Sequence, residues 1–152
     1  MKDLPHHYSV AASAAPEGNV ELAAAALEPI HSAPPAEFGG PGDRWSPETL
    51  LVAAVADCFI LTFRAIARAS KLPWTALKCD VVGKLERSDG ATRFTEFTVN
   101  AALEVPAGTS EEKARRLLEK AEAGCLISNS LSGMKRLQAS VAVASPDRMS
   151  AA

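Results

Sequence analysis

The hydrophobic positions switch between two periods along the chain, and one stretch obeys neither. From Ser46 to Ser70 the apolar residues Leu50, Leu51, Val52, Val55, Cys58, Phe59, Ile60, Leu61, Phe63 and Ile66 point around the whole circumference of a helix. A helix that is apolar on every side is a buried one. Ser46 is placed to cap it, Pro47 suits the first helical position because it has no N–H to leave unpaired, and Glu48 complements the positive end of the helix dipole. The far end is marked by Ser70-Lys71-Leu72-Pro73, since the residue before a proline is pushed out of the helical region. The predicted helix has about 24 residues and is about 36 Å long. A chain of 152 residues offers one layer of sheet for one side of this helix, so a partner subunit is expected on another. The rival reading is a membrane span. Asp57, Arg64 and Arg68 interrupt the run, and the uncharged stretch before Asp57 is too short for one.

Period-two alternation predicts the strands. Leu77, Cys79, Val81 and Leu85 fall on one face, with Lys78, Asp80, Lys84 and Glu86 on the other, as in a half-buried strand. Ser88-Asp89-Gly90 turns the chain. Phe97, Val99, Ala101, Leu103 and Val105 then alternate with polar neighbours as an antiparallel partner. Leu137, Ala139, Val141 and Val143 repeat the pattern in a last strand. At the N-terminal end, His7–Val10 and Asn19–Leu22 read as a hairpin about the turn Ala15-Pro16-Glu17-Gly18. The alanines 23–26 favour helix by propensity but lie between a strand pattern and Pro29, so tertiary context decides them. Residues 32–44, rich in Pro and Gly, are a loop that brings Glu37, Phe38, Asp43, Arg44 and Trp45 to the start of the central helix.

A second helix is predicted after Pro106-Ala107-Gly108. Thr109 and Glu112 have the spacing of a capping box, Ala114, Leu117, Leu118 and Ala121 form the buried stripe, and Gly124 is the stop. Cys125 would then open a short further helix. The tail from Ser145 to Ala152 is expected to fray.

Composition narrows the function classes. With 47% hydrophobic and 22% charged residues, the chain is expected to form one domain spanning residues 1–152. A net charge of −2, a pI near 5.9 and scattered basic residues give no reason to expect nucleic acid. No secretory leader is recognisable, so a cytoplasmic location is expected. His6, His7 and His31 stand at no zinc-like spacing to a cysteine, and no metal or cofactor is expected. The three cysteines do not make a structural disulfide framework. Cys79 reads as a small core residue. Cys58 lies within the central helix, and Cys125 follows a helix-ending glycine, where unpaired N–H groups favour a thiolate. Together these two leave open a pair that can be oxidised to one another, a transient disulfide. A cysteine-nucleophile hydrolase is a weaker idea, because no histidine stands beside either motif to act as base.

Ser46-Pro47-Glu48-Thr49-Leu50-Leu51 leading to Ala56-Asp57-Cys58-Phe59, with Gly124-Cys125-Leu126-Ile127-Ser128-Asn129-Ser130-Leu131 near the end, resembles the OsmC/Ohr family of organic-hydroperoxide peroxidases. The likeness runs in order from about Tyr8 to Val143. It implies an α+β fold, an intertwined homodimer with long central helices wrapped by antiparallel sheets. It also implies a thiol peroxidase in which Cys58 matches the peroxidatic cysteine and Cys125 the resolving one. The implied substrates are organic or fatty-acid hydroperoxides, and the implied reductant is a dithiol such as a protein-bound lipoyl group. Two departures stand out: the proline that often follows the second cysteine is Leu126 here, and no arginine precedes Arg44, where the family has one that steadies the thiolate and pairs with the glutamate. Arg44 is the nearby substitute, with Lys2, His6 and His7 as weaker candidates. On a straight helix Glu48 lies about 15 Å from Cys58 and roughly 80° round the axis, so it would serve a site at Cys58 only through a bridging group, a bend or the partner subunit. The alternative function is a dimeric small-molecule-binding protein of the same fold whose pocket has lost its cation.

Overall fold

The computed structural model describes residues 3–145, so Lys2 and the tail beyond Ser145 lie outside the described residues. The chain is described as two compact units, one ending at Leu51 and the other beginning at Val52. The helix α1 (Pro47–Ala69) starts in the first and continues in the second.

The first unit holds a three-stranded antiparallel sheet of β1 (Ala11–Ser13), β2 (Val20–Ala23) and β3 (Ile30–Ser32), in that order. The hairpin is present, but its first strand is Ala11–Ser13 rather than His7–Val10. The register explains the shift: Ala11 pairs with Ala23, the last residue of β2, so residues 7–10 run past the end of their partner. Beyond Ala23 the alanine run is a turn, with Ala26 in the left-handed region (φ 61) and Leu27 N–H donating to the Ala24 carbonyl at 3.2 Å. That turn feeds β3, a strand too short to leave an alternating signature. The following loop contains a single 3-10 turn at Ala36–Phe38 and returns beside β3 through a bridge between Ser32 and Trp45. At the start of α1, Thr49 N–H donates to Ser46 Oγ at 3.2 Å and Ser46 N–H donates to Thr49 Oγ1 at 2.8 Å. This is the reciprocal arrangement of a capping box, with threonine in the place usually taken by glutamate.

In the second unit, α1 buries Val55, Phe59, Phe63 and Ala67. Their four-residue spacing drifts by about 40° per step, which makes one broad stripe and not a fully covered cylinder. Leu61 remains 51% exposed. By length and composition α1 also reaches what a membrane crossing needs. The buried stripe assigns it to this unit's core, where Phe63 meets Trp74 edge-on at 5.5 Å between ring centroids. The helix ends at Ala69 with Lys71 in the left-handed region (φ 51) and Leu72 N–H donating to the Ala67 carbonyl. The stop is therefore made two residues before Pro73.

The second sheet has the order β4 (Ala76–Ser88), β5 (Ala91–Val105), β6 (Met134–Val143). Asp89 (φ 51) and Gly90 (φ 79) form the two-residue turn that matches strand twist. Phe97, Val99, Ala101, Leu103 and Val105 are buried, and Leu77, Cys79 and Val81 beside them are half-buried. Leu85 departs from its expected face because the register shifts between Lys84 and Leu85, leaving Thr95 as an extra residue on β5 and turning the end of β4 over. Gly83 lies under α1: a Cβ there would stand 2.8 Å from Val52 Cγ2 and 2.9 Å from Phe94 Cε1. The expectation of purely antiparallel pairing fails at β6, which pairs parallel with β5. The connection explains it, since two helices intervene between these strands and return the chain to the same end of the sheet. These are α2 (Glu111–Ala123) and α3 (Leu126–Asn129). α2 buries Ala114, Leu117, Leu118 and Ala121 as predicted. Its cap is Ser110, accepting from Lys113 N–H, and not Thr109, whose own N–H donates to the Pro106 carbonyl. Lys113 Nζ donates to the Ser70 carbonyl at 2.9 Å, which ties α2 to the negative end of α1.

Candidate functional site

Cys58 and Cys125 meet. Cys58 sits on α1 half-buried, and Cys125, 1% exposed, is the residue that caps α3. Cys125 has extended backbone (φ −68, ψ 110), which aims the first N–H groups of α3 outward; these groups have no partner within a helix so short. They reach the Cys58 sulfur. Burial pushes the Cys58 thiol up, but hydrogen bonds from Ile127 N–H, the Cys125 thiol, the Thr62 hydroxyl and Leu126 N–H overcome it and leave the thiol below its ordinary value. The Thr62 contact is 3.9 Å from Oγ1 to Sγ. None of these four groups is a cation.

Cys125 moves the opposite way. Burial raises it, hydrogen bonds from Ser128 oppose the rise, and the neighbouring Cys58 adds to it. The α3 amides that were expected to activate Cys125 are therefore divided: those of Leu126 and Ile127 serve Cys58, and that of Ser128 serves Cys125 without offsetting its burial. The pair is polarised, with one thiol biased towards thiolate and its hydrogen-bonded neighbour holding its proton. Cys79 faces inward from β4, and its thiol is pushed up to about 11 by burial, then by Asp80 and by Cys125. It remains a protonated core residue. All three cysteines are free.

The other candidates lie in the first unit. Arg44 Nη1 pairs with Asp43 Oδ2 at 3.2 Å and also donates to the Asp43 carbonyl. The guanidinium is thus engaged within its own loop, beside an open depression of about 440 Å³ lined by Gly42, Asp43, Arg44, Trp45 and Thr49. Glu48 is half-buried, and its Oε2 is buried with no hydrogen-bond partner among the described residues. An unpaired buried carboxylate oxygen is costly, and Arg44 does not relieve it. Phe38 is 60% exposed and Trp45 52% exposed. Among the described residues no group of three or more His, Cys, Asp or Glu side chains could hold a metal ion.

Thr62, Ser128 and the amides of Leu126 and Ile127 were not singled out from the sequence. Thr62 was within reach of it, since i to i+4 spacing on a helix puts its side chain beside Cys58. The amides carry no sequence signal at all.

The chain was compared with known proteins. A family model described as OsmC-like protein matches residues 40–140. A protein of Bacillus subtilis (strain 168), YmaD, whose function is uncharacterized, is 28% identical over 112 residues, covering 72% of this chain and 75% of that one. An OsmC-like protein of unknown function from Vibrio cholerae superposes with a TM-score of 0.81 at 17% identity, covering 90% of this chain and 100% of that one. The organic hydroperoxide resistance protein OsmC of Legionella pneumophila gives 0.70 at 26% identity, covering 93% and 100%. An organic hydroperoxide resistance protein of Elizabethkingia anophelis gives 0.71 at 21% identity, also covering 93% and 100%. With more than half of its length matched by the family model and the fold shared with these structures, the chain belongs to the OsmC family.

Proposed function

We propose that the protein is a thiol-dependent peroxidase that reduces organic hydroperoxides through Cys58 and Cys125. The observation that carries this reading is the polarised pair, a thiol lowered by four hydrogen bonds beside one that keeps its proton. The Cys58 thiolate attacks the O–O bond, leaving Cys58 as sulfenic acid and releasing an alkoxide that takes a proton to become the alcohol. The Cys125 thiol then condenses with the sulfenic acid, forming the disulfide and releasing water. A dithiol reductant, such as a protein-bound lipoyl group, reopens the bridge by exchange. No metal or cofactor is required. Leu126 and Ile127 are exposed apolar residues beside Cys125 on α3, which favours a peroxide with an organic group.

The reading includes a homodimer. α1 buries one stripe and leaves Leu61 open, and Glu48 Oε2 lacks a partner among the described residues; a second subunit covering the open face and supplying a donor accounts for both. Three free thiols suit a reducing compartment, in keeping with the cytoplasm. The second reading, a dimeric binding protein without catalysis, is favoured by the engagement of Arg44, the candidate cation, with Asp43 of its own loop.

One equivalent of an organic hydroperoxide should produce a Cys58–Cys125 disulfide by peptide mass spectrometry, and Cys58→Ser should abolish peroxide consumption. Consumption at the parent rate by Cys58→Ser would overturn the peroxidase reading. Slow, unselective reaction in the parent, with a ligand retained on purification, would favour the binding protein. Light scattering reads the dimer, and a monomer at micromolar concentration would remove that part.

A further inference from the structure

We propose that Thr62 holds the nucleophile of this site and sets its distance from the resolving thiol: its hydroxyl donates to the Cys58 sulfur, while its methyl group spaces α1 from the Gly124–Cys125 corner. The inference rests on the peroxidase reading of the same two sulfurs.

Two separate observations carry it. Thr62 lies one turn after Cys58 on α1, with Oγ1 3.9 Å from Sγ. On the other branch of the same Cβ, Cγ2 is 3.6 Å from where a Cβ on Gly124 would stand, so the methyl faces the bare backbone of the residue that precedes Cys125. A hydroxyl at this place in a helix commonly bonds back to the carbonyl four residues earlier. Here its described hydrogen bond goes to sulfur, so the proton is available as Cys58 ionises. Threonine alone among the small side chains carries a donor and a methyl on one stiff β-branched carbon. Serine lacks the spacer and valine lacks the donor.

The charged and titratable surroundings leave this role open. Cys125 faces Cys58 from the α2–α3 corner, and Cys79 on β4 acts on Cys125. Along α1, Asp57 and Arg64 are exposed. Within this unit the groups that favour the Cys58 thiolate are amides, a thiol and this hydroxyl, so one hydroxyl has a larger share of the work than it would beside a guanidinium. When Cys58 has become sulfenic acid, the methyl facing Gly124 limits how closely the Cys125 backbone can approach α1 for the condensation that releases water.

The test compares Thr62→Val with Thr62→Ser. The first measurement is the rate of Cys58 alkylation by iodoacetamide across pH, resolved by peptide mapping. The second is the ratio of dimedone-trapped sulfenic acid to Cys58–Cys125 disulfide after one equivalent of cumene hydroperoxide. Thr62→Val should slow alkylation at pH 7 about fivefold and move the midpoint upward. Thr62→Ser should keep the parent alkylation profile while raising the trapped sulfenic acid about threefold. Parent-like alkylation in Thr62→Val, or equal loss in both variants, overturns the proposal. If Thr62→Val melts well below the parent, Thr62→Ala also removes the hydroxyl and supplies the same comparison. Alkylation needs no peroxide, so a parent protein that fails to consume peroxide sinks the peroxidase reading while the hydroxyl's effect on Cys58 is still measured.

Discussion

Replacing Leu126 with proline removes one hydrogen-bond donor from the Cys58 sulfur and little else. Leu126 is the first residue of α3, where a proline is tolerated because its N–H would have no helical partner. Cys125 already has φ −68 and ψ 110, the region a residue before proline must occupy. The leucine side chain is 75% exposed, so its loss costs little burial. What disappears is the amide that donates to the Cys58 sulfur. A hydrogen bond to a charged acceptor contributes about 1.5–3 kcal/mol. Sharing a large sulfur among four donors brings this one nearer to about 1 kcal/mol, or about a fivefold loss of thiolate below the midpoint. The sign follows from the direction of the shift: the folded state holds Cys58 below its ordinary value, so losing a donor moves its midpoint upward. Peptide-resolved alkylation of Cys58 between pH 5 and 9 reads the change, with Leu126→Ala as a control that trims the side chain and keeps the N–H. An unchanged midpoint in Leu126→Pro, or an equal shift in Leu126→Ala, would refute the assignment of that amide.

Other outcomes follow from the packing. Gly83→Ala should destabilise by about 1–3 kcal/mol, because the new methyl meets Val52 and Phe94 inside 3.0 Å; a melting temperature equal to the parent's would contradict that contact. Ser46→Ala should cost about 1–2 kcal/mol in chemical denaturation, since Ser46 is fully buried and its Oγ satisfies Thr49 N–H. Cys79, pushed up to about 11 from a usual value of 9.0, stays protonated when the unfolded chain has already ionised. Between those two pH values the unfolded state binds fewer protons, so stability should fall with rising pH by at most about 2.7 kcal/mol, less for a half-buried group. Cys79→Ala should flatten that slope in pH-dependent denaturation curves.

What the sequence revealed and what it hid divide along physical lines. The bounds of α1 were legible because Ser46, Pro47 and Lys71-Leu72-Pro73 act locally, and the buried stripe of α2 was legible because it repeats every three to four residues. The cap of α2 was misplaced by one residue, since Thr109 and Ser110 are both competent and only the backbone of the preceding turn chooses between them. β3 has three residues and no alternation to read. The parallel pairing of β6 depends on the two-helix connection that returns the chain to the same end of the sheet, and the flipped end of β4 on an extra residue in its partner; neither is encoded in the strand concerned. Cys58 and Cys125 could be picked out by type and position. Their polarity could not, because the deciding amides belong to a tertiary contact between α1 and α3.

The parallel β5–β6 pairing has a consequence for synthesis. Residues 96–105 must wait for residues 134–143, whereas the β4–β5 hairpin can close as it emerges. During translation Cys58 is thus exposed for dozens of residues before α3 is held against it, and its sulfur then has the reactivity of any unstructured cysteine. On the proposed reading, a ribosome-stalled or truncated chain lacking β6 should react with peroxide no faster than an unstructured cysteine does.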